Sequence, residues 1–296
     1  MMKTLLAIAV LAACGADSPP PPGDAVYSIA VPDFTLQPGD EKFYCYFTTL
    51  PVAANTGVSS YASTMTPGSH HMIMFFMPEQ VQPDGTLVEC SSFGGGGLAS
   101  IPIFAYATQE PDANEPMPDG VGVALAANQP VMVNMHYFNV TEQPITASVH
   151  IDVHTYAPEV TFTPAHAFVT YASKISIPPN SAGSAGGTCT TPPDANFIFM
   201  STHSHRYTTR AQILDGSDVV VDTTDWAHAT IEKWLEAPYR QFASGALTYH
   251  CDYYNATSAP VTVGESALTN EMCMAAGYFF PADHDVYCLD NAVVSL

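Results

Sequence analysis

Basic residues are scarce in this 296-residue chain: seven Lys and Arg stand against 28 Asp and Glu, for a formal charge of −21. Such a surface repels phosphate backbones and anionic headgroups, so no nucleic-acid partner and no electrostatic membrane contact is expected. Charge of either sign is sparse at 12%, yet hydrophobic residues reach 47%, which excludes a disordered chain. Helix-breaking residues are plentiful, with 25 prolines and 19 glycines, and long helices are disfavoured accordingly. Past the first residues, no stretch is long and apolar enough to cross a bilayer as a helix. What remains is an all-β chain of many short strands, long enough for one large or two ordinary domains.

The first segment reads as a targeting signal. Met1-Met2-Lys3 is a short basic start, Thr4 to Val10 an apolar core, and Leu11-Ala12-Ala13-Cys14 resembles the bacterial lipoprotein signal box. Residues 1–14 are therefore expected to be a signal ending at a lipidated Cys14, and residues 15–24 a proline-rich tether. The chain would be exported and held by its lipid in the bacterial cell envelope, at the outer membrane or cell surface. A plain secretory signal cut nearby is the other reading.

Without Cys14, six cysteines remain: Cys45, Cys90, Cys189, Cys251, Cys273 and Cys288. An even number in an exported chain implies disulfides and leaves no free thiol. The wide gap after Cys90 assigns Cys45 to Cys90 in an N-terminal domain and leaves the other four to pair in a C-terminal one. Pro158 and Pro164 flank a reasonable boundary, giving domains over 25–158 and 159–296.

Histidines supply the chemistry. Asn196 to His205 reads as a strand, on which His203 and His205 share one face about 7 Å apart. His70 and His71 are adjacent, so a regular strand would point them apart, and they can meet one ion only where the backbone bulges. Pro67-Gly68-Ser69 provides for such a start. His136, on the apolar run Val131 to Asn139, reads by itself as a core residue. His150, Asp152 and His154 alternate with Val149, Ile151 and Val153, the pattern of a solvated strand face more than of a metal patch. Gly94 to Gly97 is a loop, near a site or a plain connection. Met272 lies beside Cys273, and imidazole with thioether selects copper. A blue-copper centre would need a thiolate that this chain does not spare.

The ordered set His70-His71-Met72, His136-Tyr137, His203-Ser204-His205 and Gly264-Glu265-Ser266 through Glu271-Met272-Cys273 resembles the copper type II, ascorbate-dependent monooxygenases, over roughly residues 40 to 290. The family includes peptidylglycine α-hydroxylating and dopamine β-monooxygenases. The resemblance implies two tandem jelly-roll-like antiparallel β-sandwich domains with an interdomain cleft, in a monomer. It implies two separate coppers facing each other across solvent. His70, His71 and His136 would hold the electron-transfer copper, and His203, His205 and Met272 the copper that meets dioxygen and substrate. It further implies disulfides Cys45–Cys90, Cys189–Cys288 and Cys251–Cys273, ascorbate or an equivalent one-electron reductant, and hydroxylation of a C–H bond of a small organic substrate.

The chain departs from the peptide-hydroxylating pattern in three places. Ser201 stands where those relatives carry a carboxylate-gripping arginine, and Met274 and Ala276 stand where they carry asparagine and tyrosine. A substrate without a carboxylate anchor is expected. The alternative reading is a non-catalytic copper store or electron carrier on the same scaffold.

Overall fold

The structure is a computed structural model describing residues 25–91 and 102–295. The signal, Cys14, the tether and Gly94 to Gly97 lie outside the described residues. No helix occurs among those described, and the strands, in chain order, fall into two groups. The first comprises β1 (Ala25–Leu36), β2 (Glu41–Leu50), β3 (Thr56–Met65), β4 (Ser69–Phe76), β5 (Thr86–Glu89), β6 (Ile103–Thr108), β7 (Asp112–Pro116), β8 (Val121–Leu125), β9 (Gln129–Phe138) and β10 (Ile145–Thr155). Next come β11 (Thr163–Pro164), β12 (His166–Tyr171), β13 (Ser176–Ile177), β14 (Ser181–Thr190), β15 (Asn196–Ser204), β16 (Thr208–Asp215) and β17 (Asp218–Thr223). The chain closes with β18 (Ile231–Lys233), β19 (Ala246–Asn255), β20 (Val261–Thr262), β21 (Cys273–Phe280), β22 (Val286–Leu289) and β23 (Ala292–Ser295).

The first half is a sandwich. One sheet has the order β5-β2-β9-β4-β6 and the other β1-β10-β3-β8-β11, with β7 also on β3. Alternation explains how they face each other: on β10, Ala147, Val149, Ile151 and Val153 are buried while His150, Asp152 and His154 face outward. The polar-face reading of that strand is what the structure has, with His150 Nε2 3.0 Å from Asp152. The sheet takes its last strand, Thr163–Pro164, from beyond residue 158, in parallel pairing with Val121–Gly122.

The second half is also layered, with a six-stranded sheet β18-β15-β21-β12-β22-β23 over a four-stranded sheet β14-β19-β16-β17. The six-stranded sheet is buried on both sides. Phe168, Phe197, Met200, Ala275 and Phe279 point into the second half's own core. Ala167, Val169, Ile198, Tyr278 and Phe280 point the other way and join the core of the first half. This explains why Phe197 to Met200 reads as an unbroken apolar run with no polar face. The fold is thus an all-β pair of sandwiches joined across a shared apolar sheet face.

The apolar stretch from Phe168 to Ile177 is split between two strands, β12 and β13. After Tyr171 the chain leaves the six-stranded sheet, buries Ala172 and Ile175, and pairs Ser176–Ile177 with β20 in a separate ribbon. The cysteines are bridged Cys45–Cys90, Cys189–Cys288 and Cys251–Cys273, the pairs the resemblance implies. The last two tie β14 to β22 and β19 to β21, stapling the layers of the second half. Three bridges mark a chain that folds in an oxidising, exported environment.

Candidate metal centre

His70 and His71 sit at a break in register between β4 and β9: Ser69 pairs with Tyr137, but His71 pairs with His136. The extra residue is a β-bulge, and it turns both imidazoles to one side, as adjacency on the strand required. Gly68, at φ +104°, leads into it. His136 arrives from β9, and Phe43, directly opposite on β2, stacks on its ring at 3.9 Å between centroids.

His203 comes from the end of β15. That strand stops at Ser204, so His205 belongs to the turn that follows, closed by Thr208 N–H donating to the His205 carbonyl at 3.0 Å. The two rings are nevertheless 5.4 Å apart.

All five rings form one cluster. His70 lies 5.0 Å from His71, 5.2 Å from His136, 5.0 Å from His203 and 5.2 Å from His205, and His71 lies 5.0 Å from His203. The resemblance implies two sets facing each other across solvent; here the sets interleave. The ligand atoms of His70, His71 and His203, drawn from both halves, all lie within 4.8 Å of one another, so this group can hold a metal ion. The physical reason is the interface itself, since the shared apolar sheet face brings the ends of β4 and β15 together and leaves no wide gap.

The tautomers follow from the partners. The Glu41 carboxylate can only accept, so His136 Nε2–H donates to it at 3.0 Å and Nδ1 keeps its lone pair. Gln109 Nε2 donates to the Trp226 carbonyl at 3.0 Å, so its oxygen accepts from His203 Nδ1–H at 2.9 Å and His203 Nε2 keeps its lone pair. His205 Nδ1–H donates to the Asn270 carbonyl at 3.3 Å, leaving Nε2. The freed nitrogens His136 Nδ1 and His205 Nε2, with His70 Nε2 and both nitrogens of His71, are buried and have no protein hydrogen-bond partner. Buried polar atoms are rarely left so, and neutral imidazoles anchored through their other nitrogen are the form that binds metal.

Burial, then repulsion among the rings, holds His70, His71 and His205 well below the ordinary imidazole value, and His203 at about 4. All are thus neutral at pH 7. Met272 is buried and shares a cavity wall with His71 and His203. Of the sequence-predicted ligands, the structure therefore gathers the five histidines in one cluster and puts Met272 at its edge. The other six of the 11 histidines stand outside the cluster. His150, His250 and His284 pair with Asp152, Asp252 and Asp283 on the surface, His166 with Asp285, and His228 with Glu110 at the cavity wall, while His154 faces outward on β10.

Three residues around the cluster had no role read from the sequence. Glu41 also accepts from Ser266 Oγ and from Ala267 N–H at 2.7 Å, so it joins His136 to the loop before Met272. Burial raises its carboxyl, but His136 and Ser266 offset that and leave it below its usual value. Gln109 crosses between the halves to His203. Glu271, fully buried, accepts from the N–H groups of His205 (3.0 Å), Tyr207 (2.6 Å) and Met272 (3.2 Å) and from Thr208 Oγ1 (3.2 Å). It thereby fixes the backbones of two candidate ligands. Burial pushes its carboxyl up to about 7 against those donors. An acidic residue directly before Met272 was the one visible signal for it.

No protein-family model matches the chain, and no curated protein matches it. Among the solved structures that match the chain in shape are a glycosylasparaginase and a phage capsid protein. PNGase F, a glycosylasparaginase from Flavobacterium meningosepticum, has 7% identity and a TM-score of 0.41 over 92% of this chain and 99% of its own. The major capsid protein P2 from bacteriophage PM2 has 6% identity and a TM-score of 0.29 over 81% of this chain and 97% of its own. At these values neither bears on function.

Proposed function

We propose that this chain is a copper-dependent monooxygenase that hydroxylates a C–H bond of a small organic molecule. The observation that carries the reading is the set of buried imidazole nitrogens without protein partners on His70, His71, His136 and His205, with His71, His203 and Met272 lining one apolar cavity. His70, His71 and His136 would hold one copper, and His203, His205 and Met272 a second. Because the sets interleave, His70, His71 and His203 can also close on a single ion, and the copper count per chain decides between the two. Nitrogen ligands tolerate both copper oxidation states, and the thioether favours the reduced one. Copper, when bound, supplies the one-electron steps and the reduction of dioxygen.

The chain's own residues do the rest. Glu41, Gln109 and the Asn270 carbonyl keep three rings in the ligating tautomer, and Glu271 fixes His205 and Met272. Overall, one oxygen atom enters the C–H bond and the other leaves as water, with two electrons from ascorbate or an equivalent reductant and two protons. Ser201, on the cavity wall, donates to the Thr230 carbonyl at 3.0 Å and offers no cation to a substrate carboxylate. We place the protein in the bacterial envelope as a monomer tethered through Cys14.

Copper content per chain, dioxygen uptake with ascorbate, and mass spectrometry of a panel of small compounds test the reading together. Two coppers bound and one added oxygen on a compound are expected. Met272→Ile should keep the fold and lose turnover. Copper binding without oxygen transfer to any compound would assign the chain to copper storage or electron carriage.

A further inference from the structure

Beside the histidine cluster lies a cavity of about 130 Å³ between the two halves. Its wall is apolar and rich in rings, with Phe75 and Phe104 from the first half and Phe199 and Tyr287 from the second. An apolar cavity of about 150 Å³ binds benzene, so this slightly smaller space is of the size of a single aromatic ring and no larger.

The polar part of the wall excludes charge. Among its described residues it has no Lys or Arg, so a carboxylate or phosphate would be stripped of water with no cation to receive it. Of its carboxylates, the buried Glu115 is paired with Lys233 at 2.9 Å, while Glu110 is part-exposed and lies 3.5 Å from His228. An ammonium group seated against Glu115 would have to compete with Lys233.

We propose that this cavity binds a small, uncharged, single-ring aromatic compound, held by Phe75, Phe104, Phe199 and Tyr287 with one edge against His203 and Met272. Ring-to-ring contacts with four aromatic walls favour an aromatic ligand over an aliphatic one of equal size. That this ligand is the compound hydroxylated rests on the monooxygenase reading; its binding does not.

Titration calorimetry of the full chain, copper-loaded and metal-free, with toluene, cyclohexane, benzoate and benzylamine tests the proposal. Toluene is expected to bind in both forms, and the other three at least tenfold more weakly. Ala276→Phe and Ile231→Trp, which fill the cavity from two different walls, should each weaken toluene at least tenfold while circular dichroism shows the fold retained. Either filled variant, if folded, is sufficient. Benzoate or benzylamine binding as tightly as toluene, no toluene binding, or toluene binding unchanged in a folded filled variant would overturn it. Toluene binding by a copper-loaded chain that transfers oxygen to no compound of the panel would refute the monooxygenase reading and leave this one standing.

Discussion

Glu41 illustrates how one side chain serves both halves. Its carboxylate takes the Nε2–H of His136 and, from the other half, Ser266 Oγ–H and Ala267 N–H. An ionised acceptor strengthens imidazole as a ligand and fixes its ring, and losing such a partner typically costs tenfold or more in metal affinity. Glu41→Gln keeps the size but removes the charge and turns an N–H₂ toward donors. We expect copper affinity to fall about tenfold, measured by competition with a chelator of known affinity, while the far-ultraviolet spectrum is unchanged. Unaltered affinity would mean that His136 is not held through Glu41. The histidines were legible because imidazole carries its chemistry in its name. Glu41, Gln109 and Glu271 were not, because their partners lie 95, 94 and 66 residues away in sequence and meet them only through register and through the interface.

At the scale of the element, the centre depends on one irregular strand start. Gly68 has φ +104°, and a Cβ placed there would lie 2.8 Å from Ile145 Cδ1 and 3.3 Å from the Phe138 carbonyl. Its own carbonyl accepts from Phe138 N–H at 3.0 Å, so the turn is pinned to β9 just before the bulge that aims His70 and His71. Gly68→Ala should cost about 1–3 kcal/mol by urea denaturation and lower copper uptake by displacing the bulge. Full stability together with full uptake would show that the turn does not set it. Strands with a strong pattern, such as β10 and the apolar β9, were readable from periodicity. The ten residues of β14, SAGSAGGTCT, carry almost no hydrophobic signal and become a strand only by pairing along their whole length with β19. β21, immediately after Met272, was hidden by its alanines and glycine; Gly277 is required there because a Cβ would strike the Phe199 carbonyl across the pair.

The whole molecule is closed around its histidines. Two sandwiches were expected only through the resemblance, and nothing in the local pattern said how they would meet. They meet on a six-stranded sheet that gives one apolar face to each core. Buried bonds reinforce it: Tyr278 O–H donates to the Phe104 carbonyl at 2.6 Å, and Asp285 accepts from Phe104 N–H and Ala167 N–H, both at 3.0 Å. Neither half can open without exposing one of those faces, so unfolding should be a single transition. The same closure makes the metal-free protein acid-sensitive. Four cluster histidines have folded values below 6.5, His203 at about 4, whereas in the unfolded chain each returns to about 6.5. As pH falls from 6.5 toward 4, the unfolded chain takes up protons that the folded chain refuses, so stability falls. Glu271, raised to about 7, works in the opposite sense from about 7 down to 4.5, one group against four. The urea midpoint of the metal-free protein should therefore drop between pH 6.5 and pH 4.5 in one transition. Replacing His71 and His203 together by Leu should flatten that drop, because two of the groups that refuse protons are then gone. A wild-type midpoint independent of pH over this range would contradict the neutral, buried cluster, and two separate transitions would contradict the shared core.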